Sequence, residues 1–371
     1  MMNKFQNKLK QLEAASRLRG LNLPGGIDLT SNDYLGMRSH PKLRTLASEA
    51  IEGGIDLGSG GSRLLRGHTL YHESLESFAA AHFSCDRALY FATGFQANNA
   101  LFTTLPSRHD AIIFDALVHA SARDGIAASP ARSIKVAHND VQGFEDTARR
   151  VRDEGAQEIW IAVESLYSMD GDIVPLAELV EIAQKFEAWL IVDEAHASGV
   201  MGASGKGLCE GLSYERLITL HTCGKAIGVA GGLICAGASV IDYLVNAARP
   251  FIFSTAPPPL QAFLVEESLK ILASEDGQAR RAAAQKLCTY TKEQLGGAGT
   301  HIVPIIIGED QKALEVAAAL QDGGYDIRAI RPPTVPAGTA RLRLSLSSEL
   351  EQAILEKFFD SLKPLLHAKA A

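Results

Sequence analysis

The chain has 371 residues, 46% of them hydrophobic and 21% charged, with a formal net charge of −7. That length and apolar content suffice for one large α/β domain, a smaller partner domain and a sizeable core. Acids and bases are interspersed, so no basic stripe exists to neutralise phosphates, and nucleic acid is not an expected partner.

The first residues, MMNKFQNKLKQLEAASRLRG, carry the pattern of a charged amphipathic helix without the uninterrupted apolar core of a secretory signal. A cytoplasmic location is therefore expected, with residues 1–36 forming a helix and arm. From Arg87 onward the apolar runs ALYFA, AIIFD, SIKVA, IWIAV, AWLIV, RLITL and GLICA alternate with longer stretches such as the amphipathic PLAELVEIAQKFEA. This alternation predicts an α/β fold over residues 37–274, a mainly parallel seven-stranded sheet with helices on both faces. Several runs end in polar residues: Asp115, Glu164, Asp193, and His221 with Thr222. Ligands of open α/β sheets bind beyond the carboxyl ends of the strands, so these residues should converge on one crevice. Residues 226–241 are apolar enough to suggest a membrane span, but they are glycine-rich, too short for the hydrocarbon layer and followed by Asp242. A buried strand is expected there, and no membrane partner.

After FIFSTAPPP the pattern changes to a long helix, HIVPIIIG, the helical QKALEVAAALQDGG, YDIRAI, RLRLSLS and a last helix, which predicts a compact α+β unit over residues 275–371. Ser348 and Glu351 have capping-box spacing for the last helix, and Gly323 and Gly324 end the preceding one. The five cysteines, Cys85, Cys209, Cys223, Cys235 and Cys288, never form a CxxC pair. They read as reduced thiols, and no metal site is expected.

IVDEAH, residues 191–196, looks like the acidic strand end of a DEAH helicase, but such an ATPase also needs GxxxxGK[ST]. Lys206 is followed by Gly207 and Lys225 by Ala226, and neither has a glycine six residues earlier. The same Asp193, taken with Lys225 in HTCGKAIG, fits another chemistry. A neutral lysine captures the aldehyde of pyridoxal phosphate as a Schiff base, and a carboxylate holds a proton on the pyridine nitrogen so that the ring can accept a carbanion's electrons. An Asp and a Lys this far apart leave open the plainer reading of a surface lysine.

The remaining motifs decide between these readings. SNDYLG at Ser31, LGSGGSRLLRG at Leu57, HESLE, FATGFQANNA, DALVHAS, AHND, VESLYSMDGDIVPL, VDEAHASGVMG, TCGKAIG, FIFSTAPPP and AIRPPTVPAGTARLRLSL stand in the order found in α-oxoamine synthases. From Ser31 almost to the carboxyl end the chain resembles that family. The resemblance implies a fold-type-I pyridoxal-phosphate homodimer with its active site at the subunit interface. It implies Lys225 as the Schiff-base lysine, Asp193 as partner of the pyridine nitrogen, His196 as donor to the phenolic oxygen and His119 as the ring stacked on the cofactor, assisting catalysis. Ser168 and Glu164 match pocket positions, the serine near the phenolic oxygen. Thr93, Gly94 and Phe95 match the phosphate-cradling turn, with Thr222 reaching the phosphate from one subunit and Thr255 from the other. On the substrate side the resemblance implies Asn32, Thr334 and Arg343, the arginine pairing with the amino-acid carboxylate through its planar fork. Isolated from the set, Glu164 and Ser168 would read as a strand-end turn, Asn32 as an Asx turn and Arg343 as a solvated strand residue.

Two departures stand out. The family often has DDAHG where this chain has DEAHA, so Glu194 and Ala197 differ, and Arg66 replaces a small residue. The terminal IRPPTVPAGTARLR resembles the members that condense L-alanine with a pimeloyl thioester, carried by CoA or acyl-carrier protein, in biotin biosynthesis. The nearer alternative is glycine C-acetyltransferase, and the more distant one an aminotransferase of the same fold.

Overall fold

The seven apolar runs form seven strands of one sheet. The computed structural model describes residues 3–367. A two-residue strand, β1 (Ile27–Asp28), precedes β2 (Arg87–Phe91), β3 (Ala111–Asp115), β4 (Arg132–Val136), β5 (Ile159–Glu164), β6 (Trp189–Asp193), β7 (Leu217–Thr222) and β8 (Gly232–Ala236). The order across the large sheet is β2-β8-β7-β6-β5-β3-β4. From β7 to β4 all pairings are parallel, whereas β8 runs antiparallel to both β7 and β2. The chain steps outward from β3 to β4, then returns to the other side of β3 with β5, so the direction of winding reverses between β3 and β5, a ligand-binding position in such sheets.

Strand alternation sorts the core into two layers. Ile112, Trp160, Ala162 and Ile191 pack with Ala97, Leu101, Ala122 and Ile126 of the helices Gly94–Thr104 and Ala120–Ala128. Their neighbours Ile113, Ile161, Leu190 and Val192 pack on the other face with Phe144, Ala148, Leu179 and Ile182 of the helices Val141–Asp153 and Leu176–Lys185. Burial on both faces explains why these strands read as continuous apolar runs. Each such Ile or Leu contributes about 1.5–3 kcal/mol of burial. The run around residues 226–241 contains β8, buried along its length. Among the described residues no helix is long and apolar enough to cross a membrane.

By its internal packing the chain divides into a larger unit, residues 35–168 and 172–281, and a smaller one formed by the residues up to Tyr34, Met169–Gly171 and the residues from Ala282 onward. The smaller unit holds β9 (Ile302–Gly308), β10 (Tyr325–Asp326), β11 (Ala329–Ile330) and β12 (Ala340–Ser345). Strands β11, β12 and β9 form an antiparallel sheet in that order, and β1 pairs parallel with β10. Its core joins Leu29 to Val303, Leu320, Leu342, Phe358 and Phe359. The helix Lys4–Ala14 is capped by Asn3 in a capping box with Gln6, and none of its residues is buried.

The helix Asp310–Asp322 ends as expected, with the Gly323 amide donating to Ala319 and Gln321 carbonyls and Gly324 at φ +89°. The last helix departs from expectation. It runs Gln352–His367, so Ser348 is not its cap. The Ser348 amide instead donates to the Tyr34 carbonyl at 2.9 Å, which holds this residue in the preceding turn.

Candidate active site

Strand β6 ends on buried Asp193, and both carboxylate oxygens are held there: the Ala195 amide donates to Oδ1 at 3.0 Å and Asn98 Nδ2 donates to Oδ2 at 2.8 Å. Asn98 also donates to Ser121 Oγ at 2.9 Å, and that hydroxyl lies 2.7 Å from His119 Nδ1. The Ser121 amide donates to the same Nδ1 at 3.2 Å, so Nδ1 is an acceptor and the neutral ring carries its hydrogen on Nε2. Desolvation lowers the His119 pKa, with Asp193 partly opposing and Lys225 reinforcing the shift, and the imidazole is neutral at pH 7. A relay of hydrogen bonds thus runs from Asp193 through Asn98 and Ser121 to His119.

Glu164 ends β5 beside this relay. Burial, then the charge of Asp193, raises its pKa well above the usual carboxylate range, with Lys225 opposing. Its Oε2 accepts the Ser168 amide at 3.3 Å, while Oε1 is buried without a hydrogen-bond partner among the described residues. Lys225, in the turn after β7, donates from Nζ to Thr222 Oγ1 at 3.3 Å. Lys225 and Asp193 both act electrostatically on His119 and on Glu164, so the four groups are near neighbours.

The third component is the start of the helix Gly94–Thr104. Thr93 caps it, accepting the Gln96 amide at 3.0 Å. A Cβ at Gly94 would lie 2.3 Å from Thr222 Cγ2, and one at Gly232 would lie 2.8 Å from Gly94 Cα. Only glycines let the helix start sit this close to β7 and β8, where its amides and positive dipole end favour an anion.

These residues fit pyridoxal phosphate. The glycine-floored helix start suits a phosphate, the Lys225 amine an aldehyde, the Asp193 carboxylate a pyridinium nitrogen, and the unpartnered Glu164 Oε1 a polar substituent of the ring or substrate. Ser168 and His196, also buried, occupy the turns after β5 and β6. Phe95 is exposed, and exposed Thr255 forms an isolated antiparallel bridge with Ser62. Among the described residues no group of three or more His, Cys, Asp or Glu side chains could hold a metal ion.

The smaller unit builds its own polar cluster. Buried Arg343 on β12 donates from Nη2 to Tyr34 Oη and from Nη1 to Ser345 Oγ, each at 2.9 Å. Tyr34 Oη in turn donates to Asn32 Oδ1 at 2.9 Å, so Arg343 and Asn32 are joined through a tyrosine not singled out in the sequence. Burial raises the Tyr34 pKa, with Arg343 opposing, and keeps the phenol protonated. Arg343 is thus no solvated strand residue. Thr334 lies apart from this cluster, exposed and accepting from Arg19 Nη2 at 3.0 Å.

The departure at Glu194 has a structural reason. Its carboxylate reaches the loop at residues 207–209, accepting the Leu208 and Cys209 amides at 2.9 and 2.6 Å and the Ser165 hydroxyl at 2.9 Å. Gly207, at φ +109°, makes room: a Cβ there would lie 2.4 Å from Glu194 Oε2. The longer side chain ties the strand-end turn to that loop and leaves Asp193 to the pocket.

AHND and MDGD meet in a clamp. His138 Nδ1 lies 2.9 Å from Asp115 Oδ1 and Nε2 lies 2.6 Å from Asp172 Oδ2, while its ring stands edge-on to Tyr167. Burial alone would lower the His138 pKa, but the bonds and charges of the two aspartates prevail and push it up to about 10. The imidazolium braces the turn that carries Ser168. His138→Asn should cost about 1.5–3 kcal/mol of stability, the worth of hydrogen bonds between charged groups. Because the folded pKa exceeds the ordinary 6.5, this contribution is complete below pH 6.5 and fades as pH rises through about 10. Melting curves of both proteins should therefore converge above pH 10, and a gap that stayed constant from pH 6 to 10.5 would contradict the clamp.

The sequence profile of class I and II aminotransferases matches residues 24–362. Curated relatives include the 8-amino-7-oxononanoate synthase of Chromobacterium violaceum, 41% identical over 90% of this chain and 88% of its own length. That of Bordetella petrii is 42% identical, over 90% and 87%. Among solved structures, a serine palmitoyltransferase from S. paucimobilis superposes with a TM-score of 0.87 at 27% identity, covering 98% of this chain and 96% of its own. An 8-amino-7-oxononanoate synthase from Francisella tularensis superposes at 0.78 and 28% identity, covering 91% and 97%. With the lysine, aspartate, histidine and glycine-floored helix start placed at strand ends of a fold-type-I sheet, the chain belongs to the α-oxoamine synthase family of pyridoxal-phosphate enzymes.

Proposed function

We propose that the protein joins L-alanine to a pimeloyl thioester with loss of carbon dioxide, the 8-amino-7-oxononanoate synthase reaction of biotin biosynthesis. The observation that carries this reading is relatives of that name about 40% identical over some nine tenths of the chain. The pocket of Lys225, Asp193 and His119 supports it. Pyridoxal phosphate, when bound, supplies the electron sink that makes the α-carbon of alanine acidic. Lys225 holds the cofactor and then serves as the base that takes the α-proton. Asp193, fixed by Asn98 and the Ala195 amide, would be the partner of the pyridine nitrogen. Neutral His119 offers its Nε2 hydrogen as a donor where oxygen charge develops. The α-carbon takes the acyl group as thiol leaves, and carbon dioxide departs before a proton is returned. His196 and Ser168 serve the phenolic oxygen, Thr93, Gly94, Phe95 and Thr222 the phosphate, and Arg343 with Asn32 and Thr334 the substrate.

Mass-spectrometric product analysis with alanine or glycine against pimeloyl and acetyl thioesters tests this. Alanine with a pimeloyl-CoA or pimeloyl carrier-protein thioester should give 8-amino-7-oxononanoate; turnover confined to glycine and acetyl-CoA would identify a glycine C-acetyltransferase instead.

A homodimer completes the site in this reading, with Thr255 lent to the neighbouring phosphate. Its supporting observation is the exposed apolar side chains of the segments joined by the Ser62–Thr255 bridge: Leu57, Leu64 and Leu65 on one side and Phe253 on the other. Dilution should release cofactor as dimers part. A fully active monomer by light scattering during turnover would exclude a shared site.

A further inference from the structure

Away from the cofactor pocket, the larger unit contains a cavity of about 560 Å³ lined by Phe83, Cys85, Cys209, Thr219, His221 and Cys235, among others. Its lining includes Leu217, Thr219 and His221 of β7, whereas Thr222, the last residue of that strand, and Lys225 do not line it. Cys235 sits on β8 opposite Ala88 of β2 and Thr219 of β7, and is buried. Cys85 precedes β2, is half-buried, and its sulfur lies 3.2 Å from the Arg87 carbonyl oxygen. Arg87 is the cross-strand partner of Ala236, the residue after Cys235, so both cysteines lie at the same end of the β2–β8 pair and line the same cavity.

We propose that Cys85 and Cys235 are an oxidant-sensitive thiol pair that closes to a reversible disulfide when hydrogen peroxide enters this cavity. The two sulfurs divide the roles. The bond from Cys235 holds the Cys85 thiol below its usual pKa against the effect of burial, which favours the nucleophilic thiolate, while burial first of all pushes Cys235 up and keeps it protonated. The Cys85 thiolate attacks one peroxide oxygen, the O–O bond breaks, and the departing hydroxide takes a proton to leave as water, giving a sulfenic acid. The Cys235 sulfur then attacks Cys85, its proton joins the departing hydroxyl, and a second water leaves. Two thiols and one peroxide become one disulfide and two waters. Cys209 lines the same cavity but is excluded, because burial and the adjacent Glu194 carboxylate raise its pKa well above the ordinary value.

The test treats the holoenzyme with a small excess of hydrogen peroxide, denatures it in an alkylating agent and counts thiols. The count should fall from five to three, with a non-reduced peptide joining Cys85 to Cys235, and dithiothreitol should restore five. In Cys235→Ser, Cys85 should stop at the sulfenic acid and be captured by dimedone, while Cys209→Ser should still form the disulfide. Should Cys235→Ser fail to fold, the peptide map of the unaltered protein decides alone. Five persisting thiols, a disulfide between Cys85 and Cys209, or oxidation at Cys209 alone would overturn the pair.

Discussion

Replacing Lys225 by alanine should lower turnover by about 10²- to 10⁴-fold through the lost proton transfer alone, and further through the lost hold on the cofactor. Borohydride reduction, which in the unaltered protein should fix pyridoxal phosphate to Lys225, should label nothing in the variant. The geometry singles out this amine. Lys225 Nζ lies beside Thr222, against whose methyl group Gly94 packs, and its charge acts on both His119 and Glu164. Lys206, the other lysine weighed as a motif residue, lines the thiol cavity instead. Peptide mapping after reduction separates the two, and a label on Lys206 would overturn the site. Because Lys225 is half-buried in a loop and not part of the core, the variant should melt close to the parent, which distinguishes lost chemistry from lost fold.

The second large effect belongs to Arg343→Lys. If the guanidinium holds the alanine carboxylate through two charge-assisted bonds, an ammonium that lacks the planar fork should weaken alanine binding by on the order of 1.5–3 kcal/mol, roughly tenfold to hundredfold in dissociation constant. Spectroscopic titration of the holoenzyme with alanine reads this directly, and borohydride labelling of Lys225 should be unchanged. Turnover should fall as well, because the same fork orients the α-proton for removal. The carboxylate eventually leaves as carbon dioxide, so the arginine contributes more to deprotonation than to the later step. Tyr34→Phe is the control for positioning: it removes the hydroxyl that receives Arg343 Nη2 and joins it to Asn32, and should weaken alanine binding less than the lysine substitution does. Unchanged alanine affinity in Arg343→Lys would move the role to another cation, such as Arg331.

The large sheet was legible because its strands are buried on both faces, which writes each as an apolar run and lets the polar residue at its end stand out. Asp193, Glu164 and Thr222 were visible for that reason. Asn98 and Ser121 were not: each lies inside a quoted motif, but an asparagine on a buried helix face announces no chemistry until its neighbours Asp193 and His119 are in place. A polar residue one helical turn after Gly94 was the one available signal. Tyr34 read as an ordinary aromatic of SNDYLG because its partner Arg343 lies some three hundred residues away. The misplaced cap at Ser348 has the same origin, since local spacing favoured it and a bond from its amide to a distant carbonyl overrode it. In the sequence Glu194 was only a departure from the family's DDAHG, and the approach of the loop at Gly207 showed what the extra methylene reaches.

The composition of the smaller unit constrains the order in which the protein can be made. Leu29 belongs to a core otherwise drawn from residues 287–362; its amide donates to the Asp326 carbonyl at 3.0 Å, and its carbonyl receives the Ser345 amide at 2.8 Å. On the ribosome these early residues emerge roughly 15–60 s before their partners, at typical rates of 5–20 residues per second. During that interval the β1 segment has no strand to pair with, and the apolar surface of Leu29 stays in water or in the hands of a chaperone. The larger unit, whose residues lie between the two, can collapse first, so completion of the Arg343 cluster, with Asn32 and Tyr34 at its other end, becomes a post-translational event. Nascent chains halted before residue 325 should therefore protect the β6 and β7 amides from exchange while leaving those of Ile27 to Tyr34 open.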